Sequence, residues 1–509
     1  MKVRYSRISS AVPLPKPDIT KKKPENHTFT KKKDIVPFNQ RIATAAKDKN
    51  LSLAIEQWES IEENKMKPTL HTYCAMVNAF VRCGQLSRAE EFVSRMEKEI
   101  AVSSVTLEGY VITYTALLKG YFMSSAFERS HELFKKILGF GLGRVGSRTL
   151  DTYLRGCLRT GAFDQGLLAF ESAATEKSEV SKVYIAKMMA IRLAVKSAFE
   201  VGNSNDPSVC VHIGCAYVRL GKLSRADEWF ARGKDLLFSS APERQFDKLQ
   251  KSEMVRLCDY FMDQSLRPSA HPATLVDEYI GRFIAVSGDR KEQIQYWKAL
   301  GLGRSKSDPE IEEMASGIID SIRSMDKKTS CVILEVCSGS GEWVAREASK
   351  AREKMFLASE FRFDRCVDIL TRVAFQQLDN VWILCGDARE LASIIPEGSV
   401  SELHVNYPEP PPVNSSRIEE EMSSDIVTRK FMADSKRMLK NETGVLKIVS
   451  DDKLYMQSVT NVVNDAWGTS VFPKSGKTLV DSYFARFFSK KAKRYSLDVP
   501  VPTPGTRID

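Results

Sequence analysis

The chain has 509 residues, of which 43% are hydrophobic and 28% charged, which is typical of globular protein and sufficient for two or three domains. No run approaches the roughly 18 apolar residues that a membrane span needs, so we expect no membrane partner. The net charge of +10 lies mainly in residues 1–33, where ten Lys and Arg face two acidic residues, so no folded region is strongly basic.

The N-terminal segment is a basic tail. Its lysine triplets at 21–23 and 31–33 fit either a solvated, disordered leader or an arm that binds phosphate backbones without reading sequence. Residues 1–17 lack acidic side chains, as transit peptides do, but prolines from Pro13 onward interrupt any amphipathic helix. The location is therefore left open between cytoplasm, nucleus and an organelle (mitochondrion or plastid).

Cysteines and histidines show no metal-binding pattern. The ten cysteines are scattered, without a CxxC pair or zinc-type spacing. We expect an intracellular, reducing compartment and no structural metal.

A repeat dominates the next part of the chain. Residues 72–96, 113–137, 149–173 and 209–233 align by a central turn that often holds glycine, as at Gly84, Gly161 and Gly221. Apolar residues recur at helical spacing on both sides of that turn, which predicts helical hairpins that stack into a solenoid. A weaker copy precedes these four and a degenerate copy surrounds Gly288, whereas residues 178–203 fit no unit.

The repeat resembles the pentatricopeptide repeat (PPR) family, with an aromatic near the first helix start, Ala-Phe or Gly-Tyr at its end, and then xxGxxxxAxxxF. Tetratricopeptide repeats share the period but lack the Thr-Tyr start. The resemblance implies single-stranded RNA binding, one base per repeat, through residues near the start of each first helix. The matching positions are Asn39, Cys74, Thr115, Asp151 and Val211. Asn39, Thr115 and Asp151 can hydrogen-bond a base. A scaffold with little sequence preference, or one that binds protein, remains the alternative.

After a polar connector the pattern changes to short apolar runs that alternate with helical segments. This alternation predicts a parallel sheet covered by helices, a Rossmann-like α/β fold. We expect the chain to comprise a basic disordered tail (1–36), helical repeats (37–300), a connector (301–328), an α/β domain (329–489) and a basic, proline-containing tail (490–509).

The first strand of the α/β region ends in a glycine-rich turn. Glu335 stands at the strand end, Gly339 and Gly341 follow, and Glu360 lies 19 residues beyond Gly341, at the end of the next strand. There a carboxylate can accept hydrogen bonds from both ribose hydroxyls of a nucleotide cofactor. Because Val344 occupies the last glycine position of GxGxxG, a dinucleotide-dependent oxidoreductase fits less well.

Six blocks in order resemble the tRNA guanine-N7 methyltransferase family. They are Glu335–Gly341, Phe356–Arg362, Asn380–Ala388, Asn406–Pro410, Ser450–Tyr455 and Ser482–Ala485. The resemblance implies a class I methyltransferase that transfers a methyl group from S-adenosylmethionine to N7 of a tRNA guanine, at tRNA position 46. The implied cofactor residues are Glu335, Gly339, Gly341, Glu360, Arg362, Asp387, Ala388 and Asn406.

The implied substrate side departs from the family pattern. Glu409 and Asp451 correspond to the acidic residues that orient the guanine, and Arg417, Ser450 and Ser482 to RNA-binding positions. Glu409 replaces the family's Asp, Pro411 its Trp, Arg417 is what remains of a basic run, and Ala485 replaces a Glu.

Methylation at guanine N7 depends on the orientation of the guanine and does not need a general base. It carries a lone pair and no proton, so catalysis rests on alignment with the methyl group and on stabilising the developing positive charge. Two alternatives remain: an RNA-binding or assembly factor with a degenerate methyltransferase domain, and a methyltransferase acting on another RNA or an exocyclic amine. A protein partner subunit is a further expectation left open.

Overall fold

A computed structural model describes residues 34–103, 106–124, 126–140, 146–173, 177–202, 205–239, 248–267, 275–285, 309, 331–408, 426–476 and 494–502. The predicted N-terminal tail and most of the connector lie outside these ranges, so their boundaries stay predictions. Within the predicted C-terminal tail, Arg494–Pro500 form a strand of the sheet, so this part of the segment belongs to the α/β region.

Helical hairpins form the first half of the described chain. They are α1 (Val36–Lys47) with α2 (Leu51–Glu63), α3 (Leu70–Arg82) with α4 (Leu86–Glu99), α5 (Leu107–Met123) with α6 (Phe127–Gly139), α7 (Ser147–Thr160) with α8 (Phe163–Ser172), α9 (Glu179–Ile191) with α10 (Val195–Val201), and α11 (Pro207–Arg219) with α12 (Leu223–Phe238). The first helices of successive hairpins pack against one another and form an inner layer, as the repeat predicts.

One helical hairpin was not predicted from the sequence. Helices α9 and α10 occupy the segment that fits no repeat unit, yet they stack between α7 and α11 like the others. Glycines 84, 161 and 221 adopt positive φ at the turns, whereas Leu193 takes that conformation here, with φ of 62°. Without a glycine the turn carries no signal in the sequence.

The expected repeat copy around Gly288 is wrong where it is described. After α13 (Lys248–Met262) and α14 (Leu275–Tyr279), residues Phe283–Ala285 form strand β1 instead of helix. This strand pairs in parallel with β4 at the edge of the sheet, so tertiary pairing outweighs the weak helical pattern. Residues 286–297 of that copy lie outside the described ranges.

The sheet follows the order β1-β4-β3-β2-β5-β6-β8-β7 among the described residues. Its other strands are β2 (Val332–Val336), β3 (Met355–Glu360), β4 (Val381–Cys385), β5 (Glu402–Asn406), β6 (Val445–Ser450), β7 (Lys474–Gly476) and β8 (Arg494–Pro500). Strands β1 to β6 run parallel, and β8 pairs antiparallel with β6 and β7. From β2 the chain adds β3 and β4 on one side of the sheet and then β5 and β6 on the other side. The strand order therefore reverses between β2 and β5, which is the topological switch point of the sheet.

Five further helices accompany the strands: α15 (Glu342–Lys350), α16 (Phe363–Phe375), α17 (Ala388–Ile394), α18 (Arg429–Met438) and α19 (Lys453–Trp467). Side chains alternate along β2, with Ile333 packed in the cluster that holds α15 and α16, and Leu334 in the cluster that holds α17 to α19. Both faces of the sheet are therefore covered, as expected for a sheet of parallel strands.

Helix α16 joins the two halves of the molecule. The Phe363 ring lies 5.4 Å from the Phe163 ring at the start of α8, and Phe375 lies 5.2 Å from Phe261 of α13. Arg219, at the end of α11, donates to Thr371 Oγ1 at 3.2 Å. The repeats thus pack directly on the helical layer of the sheet, and one hydrophobic cluster spans both.

Two further findings apply to the described ranges only. Within them no helix is long and apolar enough to cross a membrane, and no group of three or more His, Cys, Asp or Glu side chains is arranged to hold a metal ion.

We expect Phe363→Ala to uncouple the two halves. Phe363 is fully buried, so truncation should leave a cavity that costs about 3–5 kcal/mol of the free energy of unfolding, measured by urea titration. Phe472→Ala is the control, because this ring is 81% exposed and its loss should cost less than about 0.5 kcal/mol. Equal costs for the two variants would contradict the packing described.

Candidate active site and nucleic-acid groove

The predicted cofactor residues meet at the carboxyl edge of the sheet. Glu335 lies at the end of β2, Glu360 ends β3 and Asn406 ends β5, while Asp387 follows β4. These strands flank the switch point, where open α/β sheets bind their ligands.

The turn after β2 is built around positive φ angles, which are 61° at Cys337, 58° at Gly339 and 76° at Gly341. A Cβ added at Gly339 would meet nothing within 4 Å, so open space lies in front of that residue. A Cβ at Gly341 would approach Ile369 of α16 to 2.9 Å. Gly339 therefore fits a close ligand approach, whereas Gly341 is required for backbone conformation and packing.

Glu335 is a buried carboxylate with one unused oxygen. Its Oε1 accepts a hydrogen bond from Asn406 Nδ2 at 2.8 Å, whereas Glu335 Oε2 and Asn406 Oδ1 are buried without a partner among the described residues. Burial raises the pKa of Glu335 to about 8, and hydrogen bonds from Asn406 and Ser338 offset part of that rise. In the ionised form of Glu335, Oε2 and Asn406 Oδ1 can both accept from a ligand that brings N–H donors, such as an α-ammonium group, whose positive charge favours that form.

Glu360 is held by backbone donors. Its Oε2 accepts from the Gly339 amide and its Oε1 from the Arg362 amide, each at 3.0 Å, and Arg365 Nη1 lies 3.6 Å from Oε2. Because each carboxylate oxygen has two lone pairs, acceptor capacity remains for ribose hydroxyls. The Arg362 side chain pairs with Asp364 at 2.6 Å, so its described contribution at Glu360 is the backbone amide.

Asp387 caps α17 and accepts from the Arg389 amide at 2.9 Å. The Arg389 guanidinium also pairs with its carboxylate, at 2.6 Å. Burial alone would raise the pKa of Asp387, but these contacts with Arg389 outweigh burial and lower it. Ala388 is buried at the first position of the helix. An adenine edge would have to share this carboxylate with Arg389.

The predicted substrate side is described in part. Ser450, buried at the end of β6, accepts from the Asp452 amide at 3.1 Å, and the next residue, Asp451, is exposed at the same edge of the sheet. Glu409, Arg417 and Ser482 lie outside the described residues, so their roles stay predictions.

One residue of the matched blocks has a structural role. Asn380 Nδ2 lies 3.0–3.1 Å from the carbonyl oxygens of Ala348, Ala351 and Lys354, and so ties the end of α15 to the start of β3.

Four of the five repeat positions matched to base reading line a groove of about 1190 Å³ along the inner helices. Asn39, Cys74, Thr115 and Asp151 all contribute to it, whereas Val211 is 2% exposed and belongs to the core. A buried valine in the core cannot read a base edge.

Two of these positions are already engaged. The Thr115 hydroxyl donates to the Val111 carbonyl at 2.7 Å and lies 2.8 Å from Thr149 Oγ1. The Asp151 carboxylate accepts from Ser178 and Ser181, at 2.8 and 2.5 Å. Asn39 Oδ1 has no partner among the described residues, so Asn39 is the position best prepared to accept a new hydrogen bond.

The sequence analysis missed the cations of this groove. Lys119 and Arg155 line it, each four residues beyond a position predicted to read a base, and Arg148 lines it at the start of α7. Helical spacing from Thr115 and Asp151 would have identified Lys119 and Arg155 as residues on the same helix faces.

Family models match both parts of this architecture. Residues 329–478 match the family described as "Putative methyltransferase", residues 31–82 the "Pentatricopeptide repeat domain", and residues 71–99 and 112–142 the "PPR repeat". The chain joins pentatricopeptide repeats to a methyltransferase domain. Membership in such a family implies S-adenosylmethionine as the methyl donor.

Bacterial relatives share the methyltransferase part. A protein of Chlamydia pneumoniae named tRNA (guanine-N(7)-)-methyltransferase is 28% identical over 178 residues, which cover 32% of this chain and 77% of that protein. Proteins of the same name from Chlamydia caviae and Chlamydia muridarum are 29% and 30% identical over 31% and 30% of this chain, and over 70% and 66% of their own lengths.

Similar solved structures include a 16S rRNA (adenine(1408)-N(1))-methyltransferase from Catenulisporales acidiphilia, at 13% identity and a TM-score of 0.27 over 36% of this chain and 94% of that one. The fold assignment rests on the strand order and on the family models rather than on this similarity.

Glu335→Gln should change the pH dependence of stability. Wild-type Glu335 titrates near pH 8 when folded and near 4.5 when unfolded, so the folded state binds more protons between these values. The contribution of Glu335 to stability therefore falls as pH rises from 4.5 to 8 and levels off above. Across that window the free energy of unfolding of the variant should rise relative to that of the wild type by at most about 5 kcal/mol. Urea titration at each pH measures this difference.

Glu353→Gln is the matched control, since Glu353 is exposed. A constant difference between Glu335→Gln and wild type from pH 5 to 8.5 would contradict the raised pKa.

Proposed function

We propose that the methyltransferase domain transfers a methyl group from S-adenosylmethionine to N7 of a guanine in tRNA, and that the repeats contribute RNA binding. The relatives named tRNA (guanine-N(7)-)-methyltransferase carry this proposal. The ordered match of motif blocks in this chain, with its acidic residues at the carboxyl ends of β2, β3 and β6, supports it.

The cofactor would be held by groups with spare acceptor capacity. Glu335 and Asn406 offer two unsatisfied oxygens to the amino end of the methionine part, Glu360 offers lone pairs to the ribose, and Gly339 leaves room beside it. Bound S-adenosylmethionine would supply an electrophilic methyl group on its sulfonium.

Asp451 is the described residue that best fits guanine recognition. Its carboxylate is exposed at the end of β6, next but one to β2 in the sheet, and can accept hydrogen bonds from guanine N–H groups. As N7 gains the methyl group the purine becomes cationic, and no proton leaves. A nearby negative charge therefore stabilises the developing charge, and a general base is unnecessary.

To test this, purified full-length protein is incubated with labelled S-adenosylmethionine and unmodified tRNA, and the methylated nucleotide is mapped. We expect 7-methylguanosine, with position 46 as the specific expectation. Failure to label tRNA over a range of salt and pH would refute the proposal.

Asp451→Asn isolates the guanine side. We expect kcat/KM for tRNA to fall at least tenfold, equivalent to about 1.4 kcal/mol, because the charge is lost while the cofactor contacts remain. The affinity for S-adenosylmethionine, measured by calorimetry, should not change. Asp465→Asn on α19 is the control, because Asp465 is exposed and pairs with Arg429 on the surface.

A second candidate is an RNA-binding or assembly factor without catalysis. Pro411 and Ala485, where the family pattern has Trp and Glu, favour it. Calorimetric titration with S-adenosylmethionine distinguishes the methyltransferase from the non-catalytic factor, because a degenerate domain of this kind would fail to bind the cofactor. If binding occurs and Glu360→Ala abolishes it, the ribose assignment is supported.

A further inference from the structure

Several cations on the outer layer of the repeats pair with carboxylates of a neighbouring helix. Ion pairs connect successive second helices: Arg95 of α4 pairs with Glu62 of α2 at 2.8 Å, and Lys136 of α6 pairs with Glu97 of α4 at 2.9 Å. These two cations are therefore paired with carboxylates of neighbouring helices of the array.

The cations that line the groove have no such partner among the described residues. Lys119, Arg148 and Arg155 line the groove, and none has an ion pair or side-chain hydrogen bond with another described residue. Burial lowers the pKa of Lys119, and so do four neighbouring cations, Arg82, Arg155, Arg148 and Arg159. Like charges gathered in a groove repel one another, so an anion bound there relieves that repulsion.

The groove is not purely cationic. Glu108 and Asp151 also line it, and the Asp151 carboxylate accepts hydrogen bonds from the uncharged hydroxyls of Ser178 and Ser181. The three cations outnumber these two carboxylates and are the groups that can pair with an incoming anion.

These cations lead toward the methyltransferase domain. Arg148, Arg155 and Arg159 share one face of α7 and span about 16 Å along it. The Arg159 guanidinium lies 4.7 Å from the centroid of Phe361, the residue between Glu360 and Arg362, and its Nε is buried without a hydrogen-bond partner among the described residues. Arg159 does not line the groove itself but is the next cation beyond it on this helix face, and it adjoins the carboxyl end of β3, where Glu360 lies.

We propose that Lys119, Arg148, Arg155 and Arg159 form a phosphate track that holds one continuous RNA strand from the repeat groove to the cofactor edge of the sheet. Methylation of the RNA at the end of the track rests on the proposed function, whereas binding of the RNA along the track does not. The strand would be bound by both parts at once, so the repeats would select a nucleotide at a fixed distance from the segment they hold.

The first test measures binding of the full-length protein to a fluorescein-labelled oligouridine over a salt series, without S-adenosylmethionine. Lys119→Gln, Arg155→Gln and Arg159→Gln should each weaken binding roughly five- to tenfold. Each should also reduce the slope of log K against log salt by about 0.7, the value for one lost phosphate contact on a single strand. Lys135→Gln, an exposed cation on outer helix α6, should change neither. Unchanged slopes in all three track variants would overturn the proposal.

The second test asks whether one strand reaches both domains. A single 4-thiouridine is moved along the oligonucleotide and the cross-linked peptides are identified. We expect cross-links to pass from α3 and α5 to residues 359–363 as the label moves, and Arg159→Gln to remove only the latter. Cross-links confined to the repeats at every label position would overturn the track.

The outcomes separate this proposal from the proposed function. Cross-links at residues 359–363 without methylation of tRNA would support the track and refute the methyltransferase activity. Wild-type methylation kinetics in Lys119→Gln and Arg159→Gln, with unchanged salt slopes, would refute the track alone.

Discussion

The arrangement of the whole molecule depends on one helix that is buried from two sides. Helix α16 covers β3 and β4 of the sheet and at the same time packs against α7, α11 and α14 of the repeat region. Two arginines lie at this junction, each only 2% exposed: Arg219 of α11 and Arg372 of α16. Buried guanidinium groups are costly unless they are hydrogen-bonded or paired, so the partners of these two side chains constrain how the domains meet.

The partners come from both domains. Arg219 donates to the Ala190 carbonyl of the repeats and to Thr371 of the methyltransferase domain. Arg372 lies 4.1 Å from the Tyr260 ring centroid and 3.8 Å from a carboxylate oxygen of Glu342, which in turn pairs with Arg256 of α13. If one domain slid over the other, these buried guanidinium groups would lose their partners. This cost favours a single relative orientation of the domains. A fixed orientation is what a track across the junction requires.

Much of the architecture could be predicted from sequence because it rests on local signals. Glycine turns identified the hairpins at Gly84, Gly161 and Gly221, and the spacing from the glycine turn after β2 to Glu360 located the ribose side of the site. The hairpin at Leu193 was missed because its left-handed turn residue is not glycine. Strand β1 was missed because three residues gain their strand conformation from pairing with β4, which no local pattern encodes. The unsatisfied oxygen of Glu335 and the unpaired cations of the groove depend on which partners are absent in three dimensions, and a sequence carries no signal for that.

The contact of Gly161 with α16 has a consequence for how such a chain can vary in length. The Phe363 ring lies against this glycine, and a Cβ added there would be 3.1 Å from a ring carbon. The fourth hairpin therefore packs closely against the methyltransferase domain at this point. The junction contacts described above all lie on the fourth hairpin and later elements. Repeat units stack on nearest neighbours only, so hairpins could be added or deleted before α7 at little structural cost, whereas an insertion between α7 and α11 would separate Phe163 from Arg219 and break the junction. The array can therefore be extended at its N-terminal end, and a homologue or engineered variant could be longer there without any movement of the carboxyl edge of the sheet.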